Sequence, residues 1–170
     1  MTERIEYDYG IAKHIRIGFG KDKRMWWEPR GVRMADIPLW NGDLLRESRF
    51  DGEPVLVVEG EKDANRGVMF GFCCVSFPGG ASQRDFGDAP MALKDRDIVL
   101  IPDQDKPGLA LMQRVAVTLI ATGVKRIRVL ILPPSDHDLS NFLNQYADED
   151  PRGARIALND CIENADTLWP

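Results

Sequence analysis

Carboxylates recur in three places along this sequence, each time just after a short apolar run. Glu59-Gly60-Glu61-Lys62-Asp63-Ala64 follows residues 55–58, and Asp103-Gln104-Asp105-Lys106-Pro107-Gly108 follows residues 98–101. Asp136 and Asp138 come after residues 127–132 and the turn Pro133-Pro134-Ser135. Carboxylates gathered in one place repel, and each makes its neighbour harder to ionise. A hard divalent cation removes that conflict: Mg²⁺ takes oxygen ligands and keeps waters that a phosphate can displace. Asp103 and Asp105 alternate, so one turn can offer both to a shared ion or to two adjacent ones. Gly60 and Gly108 would let backbone come close to a phosphate, with a helix start near Lys106 adding its dipole. Lys62 and Lys106 are candidates for phosphate contact, or ordinary surface lysines. Each piece also has a plain structural reading. Asp-Gln-Asp-Lys-Pro-Gly makes a good turn and helix cap, Glu59-Gly60-Glu61 an acidic helix start, and Asp138 a cap for a helix from Leu139. In this order at three strand ends, Glu59, Asp103, Asp105 and Asp138 together favour a metal site.

The elements that must position them are legible from pattern. Runs 55–58, 73–77, 98–101 and 127–132 are short and mostly continuously apolar, as strands covered on both faces require. Helical segments lie between them at 61–70, 106–122, 139–147 and 153–164. The clearest is 106–122, where Leu111, Val115 and Leu119 run beside Met112, Ala116 and Ile120 in one stripe. Asp105 can cap it, Pro107 suits its first turn, and Gly123 its end. Strands alternating with helices imply right-handed crossovers and a mostly parallel sheet with helices on both faces, the acids lying beyond the carboxyl ends of its strands. The first fifty residues read differently. Ile5-Glu6-Tyr7-Asp8-Tyr9 and His14-Ile15-Arg16-Ile17 alternate, and Met25-Trp26-Trp27-Glu28 is a third short strand. The expected organisation is therefore α/β: a β-rich basic segment at 1–53, the sheet domain at 54–147 and a helical tail at 148–170.

The 170 residues, 44% hydrophobic and 29% charged, are those of an ordinary globular chain, neither disordered nor fibrous. No apolar run reaches the roughly 18 residues of a membrane span, and the polar start is no signal peptide, so a cytoplasmic protein is expected. Cys73, Cys74 and Cys161 form no disulfide framework, and with His14 and His137 they give no zinc spacing. His137 reads as a solvated loop residue, and Gly18-Phe19-Gly20-Lys21 departs from a Walker A loop. The net charge of −5 hides an asymmetry: Lys13, Arg16, Lys21, Lys23, Arg24, Arg30 and Arg33 crowd residues 11–33. Such a chain can grip a polyanion at its basic end and hold cations at its acidic body, or simply carry a solvated strand pair. Trp26, Trp27 and Trp40 suit either base stacking or covering one end of the sheet.

The three acidic motifs, with Asp138-Leu139-Ser140-Asn141 as the third, resemble the Toprim domain shared by primases and type IA and II topoisomerases. The likeness is greatest to bacterial and phage primases and phage primase-helicases, over about residues 54–146, and Pro78-Gly79-Gly80 fits those members. It implies a compact sheet with helices on both faces, Glu59 in acid–base or metal-assisted phosphoryl chemistry, and Mg²⁺ (or Mn²⁺) on Asp103, Asp105 and Asp138. His137 and Asn141 depart from the third motif, where primases carry Lys and often a second Asp. The basic segment resembles the β-rich piece preceding Toprim in phage-type primases. By that resemblance Lys21, Lys23, Arg24, Trp26, Trp27 and Arg30 would contact single-stranded DNA template, and Gly60, Lys62, Lys106 and Gly108 the phosphates of nucleoside triphosphates. The expected function is Mg²⁺-dependent synthesis of short RNA primers during replication in a bacterial or phage-infected cell. Rivals are a small Toprim nuclease and a non-catalytic nucleic-acid-binding module. Without zinc-ligand spacing or a Walker A, the chain is expected to be a catalytic fragment, half of a split primase or a stand-alone Toprim protein. A replicative helicase or zinc-binding primase module would then lie on another chain or in a longer one.

Overall fold

The computed structural model describes residues 4–18, 22–146 and 150–170. The chain opens with a three-stranded antiparallel sheet, β1 (Arg4–Asp8), β2 (Lys13–Ile17) and β3 (Arg24–Glu28), in sequential order. Side chains alternate along each strand, so the pairings Tyr7 with His14 and His14 with Trp27 put these rings on one face. That face packs with Tyr9, Ile37 and Trp40 in a small apolar cluster. The Trp40 ring lies 5.4 Å from that of Tyr7 and 5.0 Å from that of Tyr9. Its indole donates to Asn65 at 2.7 Å. Of the two uses the sequence allows for this residue, the structure shows the packing one.

Short 3₁₀ turns at Met34–Asp36, Gly42–Arg46 and Ser48–Phe50 lead into a five-stranded sheet. Its members are β4 (Val55–Val58), β5 (Cys74–Ser76), β6 (Asp97–Leu100), β7 (Arg126–Val129) and β8 (Asp166–Trp169), in the order β5-β4-β6-β7-β8. The first four run parallel and β8 is antiparallel to β7. Alternation divides the apolar runs between two cores. Val55, Val57, Ile98 and Leu100 pack with Leu111, Val115 and Leu119 of α2 (Lys106–Thr122). Leu56, Val58, Val99 and Ile101 pack with Ala64 of α1 (Glu61–Met69), with Leu139, Phe142 and Leu143 of α3 (Leu139–Leu143), and with Ala154, Leu158 and Ile162 of α4 (Pro151–Glu163). Each large aliphatic chain so buried contributes about 1.5–3 kcal/mol, which is why both faces of these strands are apolar.

The segment expected as a helical tail is a helix followed by a strand. Asp166–Trp169 hydrogen-bonds to the free edge of β7, while α4 covers one face of the sheet. The helix expected at 139–147 ends at Leu143. Among the described residues no helix is long and apolar enough to cross a membrane.

Candidate functional site

The carboxyl ends of β4 and β6 place Glu59 and Asp103 side by side. The contact is closest at Gly108, in the first turn of α2. A Cβ there would lie 2.8 Å from the Asp103 carbonyl oxygen and 2.9 Å from both the Asp103 Cβ and Glu59 Oε2. Only a bare Cα lets the helix seat against both acids. Asp105 Oδ1 accepts the Gly108 N–H at 2.7 Å and so caps α2. Gln104 points the other way, its amide donating to the carbonyls of Leu132, Pro133 and Asp136 at 2.8–2.9 Å. It thereby staples the loop after β6 to the loop after β7, which carries Asp138.

Electrostatics at this edge are strained. Burial, reinforced by Glu59, Asp63, Asp138 and Asp105, pushes the Asp103 carboxyl up to about 8. Burial and Asp105 also raise Glu59, against the pull of Lys23 and a backbone hydrogen bond from Ala81. Glu59 Oε2 is buried and has no hydrogen-bond partner among the described residues. An orphaned buried carboxylate oxygen is costly and calls for an explanation.

The other acids have hydrogen-bond or charge partners within the protein, although burial and Asp138 still raise the Asp63 carboxyl. Glu61 is buried in the first turn of α1, where its Oε1 accepts from the Tyr9 hydroxyl at 2.8 Å and lies 2.6 Å from His14 Nδ1. Burial works against ionisation there, but the His14 contact wins and lowers the Glu61 pKa. The His14 ring stacks on Trp27 at 4.5 Å, so this network bolts the small sheet to the head of α1. Asp63 is buried and accepts from the Ser140 backbone N–H at 3.0 Å and from the Ser140 hydroxyl. Asp138 caps α3 through Oδ1, which accepts from Asn141 N at 2.7 Å, and receives the Lys62 ammonium on Oδ2 at 2.8 Å.

Between the two sheets lies a cleft of about 710 Å³, within the range of ligand sites. One wall is acidic, with Glu59, Glu61, Asp63, Asp103 and Asp138; the facing wall carries His14, Arg16, Lys23, Met25, Trp26 and Trp27. The loop at 79–83 forms a further side. It is held by Arg114, whose guanidinium donates to the carbonyls of Ala81 at 2.8 Å and Gln83 at 3.1 Å.

The residues singled out from sequence thus fall into groups. Glu59, Gly60, Lys62, Asp103, Asp138, Lys23, Trp26 and Trp27 line the cleft, whereas Asp105, Lys106, Gly108, Arg24 and Arg30 do not. Lys62 meets Asp138 and Asp63, at 2.8 and 3.6 Å. A Cβ on Gly60 would meet nothing within 4 Å, while Gly108 accommodates carboxylates. Trp26 donates its indole N–H to Glu28 at 2.9 Å, with the Arg4 guanidinium over its ring. Lys21 lies outside the described residues. Sequence reasoning passed over Tyr9, His14, Gln104 and Arg114. His14 and Tyr9 carried a signal, since strand alternation puts both on the inward face. Gln104 and Arg114 carried none, because their partners lie far off in sequence.

Among the described residues no group of three or more His, Cys, Asp and Glu side chains is arranged to hold a metal ion. Mg²⁺ does not need one, being bound by one or two carboxylates, waters and substrate phosphates rather than a protein cage. The donors fit such an ion: all are oxygens, Glu59 Oε2 lacks a partner among the described residues, and burial together with its acidic neighbours holds Asp103 from ionising.

No family model matches the sequence, and no curated protein matches it. Solved structures do. The Escherichia coli primase catalytic core is 18% identical with a TM-score of 0.66, over 98% of this chain and 53% of that one. The Aquifex aeolicus primase, comprising zinc-binding and RNA polymerase domains, is 21% identical with a TM-score of 0.67, over 98% of this chain and 40% of its own. A DnaG primase catalytic domain bound to single-stranded DNA is 18% identical with a TM-score of 0.63, covering 98% and 53%. At these identities the likeness is one of fold: the mostly parallel sheet with its appended antiparallel sheet is that of bacterial primase catalytic cores. The chain spans about half the length, or less, of the solved chains it matches.

Proposed function

We propose that this chain is a primase-type Toprim catalytic core that joins ribonucleotides into short RNA primers on a single-stranded DNA template, using Mg²⁺ or Mn²⁺. The observation that carries the reading is Glu59, its orphaned Oε2 beside Asp103, at a sheet edge that faces a basic and aromatic wall across the cleft. Glu59 and Asp103, joined by the free oxygen of Asp105, would hold the cation, and Asp138 would join them only on leaving Lys62. Bound there, a divalent ion supplies positive charge to the phosphates of the incoming nucleotide. The Glu59 carboxylate would also assist movement of the proton from an attacking hydroxyl. Lys23 and Arg16 would meet phosphates across the cleft, giving salt-sensitive, sequence-independent affinity. Trp27 has its ring committed to His14, so base stacking would fall to Trp26, the other tryptophan lining the cleft. That one similar structure is a primase domain bound to single-stranded DNA supports the choice of template. A zinc-binding module or replicative helicase, on another chain or in a longer one, would present that template.

The test is primer synthesis from labelled ribonucleotides on single-stranded DNA with Mg²⁺ or Mn²⁺. Product is expected, and Glu59→Gln or Asp103→Asn should lower it by about two orders of magnitude or more with the circular dichroism spectrum unchanged. Synthesis that survives both substitutions overturns the assignment. DNA shortened in the absence of nucleotides would make the protein a nuclease instead.

A further inference from the structure

The acids of the cleft separate into two halves that differ in what neutralises them. In one half, Glu59 has an unpartnered buried oxygen beside Asp103, and no protein cation sits on it at hydrogen-bond distance among the described residues. In the other half, the Lys62 ammonium lies 2.8 Å from Asp138 Oδ2 and 3.6 Å from Asp63 Oδ1. It bridges carboxylates contributed by α1 and by the loop before α3, as a bound metal ion would. Neither carboxylate is idle otherwise. Asp138 Oδ1 is spent on the Asn141 N–H, and Asp63 Oδ1 on the Ser140 N–H and hydroxyl.

We propose that Lys62 is a tethered cation standing where a second divalent ion would bind, so that the free protein loads one divalent ion, at Glu59 and Asp103. The inference rests on the metal-dependent reading above and deepens it. A divalent ion entering between Asp63 and Asp138 would have to sit within a few ångströms of an ammonium group, and the two repel strongly in a partly desolvated site. Lysine suits this post. It is a compact point charge on a flexible stem, and its side chain is 47% exposed, so it reaches in from solvent. Remove the ammonium and what remains is a buried carboxylate, a second one beside it and a serine hydroxyl, all oxygen donors of the kind that hard cations select. The Glu-Gly-Glu-Lys-Asp sequence thus places a metal-binding acid and a built-in competitor for metal three residues apart.

Mn²⁺ binding, counted by the electron paramagnetic resonance signal of the free ion during titration, tests this without any catalytic readout. The wild type is expected to take up one ion, and Lys62→Met two, the second at least tenfold tighter than any further uptake by the wild type. Lys62→Arg, which keeps the charge, should return the count to one, as should Lys62→Met combined with Asp138→Asn. In thermal melts, Mn²⁺ should raise the midpoint of Lys62→Met more than that of the wild type, which also shows that the variant folds. A wild type that binds two ions, or a folded Lys62→Met that binds one, overturns this proposal and leaves the metal-dependent reading standing. A wild type that binds none overturns both.

Discussion

Replacing Asp103 with Asn should make the protein more stable, not less, when divalent ions are removed. Asp103 sits among Glu59, Asp63, Asp138 and Asp105 in a partly desolvated edge, and its carboxyl is pushed from 3.8 to about 8. A carboxyl that holds its proton more tightly when folded than when unfolded contributes a penalty that begins as pH rises past the unfolded value and is complete above the folded one. The penalty is therefore absent below about pH 4, grows through neutrality and levels off above pH 8. At roughly 1.4 kcal/mol per unit, the full displacement caps it at about 6 kcal/mol. Asp103 opens onto the cleft, where water screens its neighbours, and the realised cost is on the order of 1–3 kcal/mol. For a chain of this size, each kcal/mol moves the melting midpoint by about 2–4 °C, so Asp103→Asn should melt about 3–10 °C above wild type. The assay is differential scanning calorimetry in EDTA at several values from pH 4.5 to 8.5. The gap should be near zero at the acid end, widen with pH, and close again when Mg²⁺ is added to the wild type. A variant that melts at or below wild type at pH 8.5 in EDTA, or a gap that ignores pH, would refute the claim that the ionised Asp103 carboxylate costs the fold stability.

Two other substitutions probe the frame around that edge. Glu61→Ala strands His14 and Tyr9 beneath Trp27 and should cost about 2–4 kcal/mol by chemical denaturation, while Mn²⁺ affinity stays within a few-fold; loss of the ion would make Glu61 a ligand. Gly108→Ala drives a Cβ to 2.8 Å from the Asp103 carbonyl oxygen and 2.9 Å from Glu59 Oε2; it should destabilise by about 1–3 kcal/mol and weaken divalent binding at least tenfold by calorimetric titration, whereas Gly60→Ala should do neither to the fold.

What could be read from sequence was whatever is decided locally. α2 runs over Lys106–Thr122, as its apolar stripe, its Asp105 cap, Pro107 and the left-handed Gly123 at φ 84° require. The apolar runs became the parallel strands because a strand covered on both faces leaves polar residues no place to go. Ser76 in β5 and Arg128 in β7 are buried exceptions, and Arg128 is accommodated by Asp97 and the Ile162 carbonyl. β8 escaped notice for the opposite reason. All its residues are exposed, so Asp166-Thr167-Leu168-Trp169 has no buried face to impose alternation, and only the open edge of β7 makes it a strand. The partners of the site acids were hidden by distance along the chain: His14 lies 47 residues from Glu61, and Lys62 lies 76 from Asp138.

Three acids at the β4–α1 junction show how much that distance matters. Glu59, Glu61 and Asp63 alternate in sequence and look alike, so spacing alone gives each an equal claim to a cation. Folding treats them differently. Glu61 turns toward the small sheet and is met by Tyr9 and His14; Asp63 turns toward α3 and is met by Ser140 and Lys62; Glu59 turns toward α2, where Gly108 offers no side chain at all. A carboxylate buried beside another carboxylate, with one oxygen left over, costs stability that selection for folding alone would remove by substitution. Glu61 stabilises the fold through its partners and could be replaced by an apolar residue together with them, whereas burial and Asp138 raise the Asp63 carboxyl in spite of Lys62 and Ser140. Glu59 and Asp103 destabilise it, and the two residues that any repair of the fold would change first are the ones on which the proposed chemistry depends.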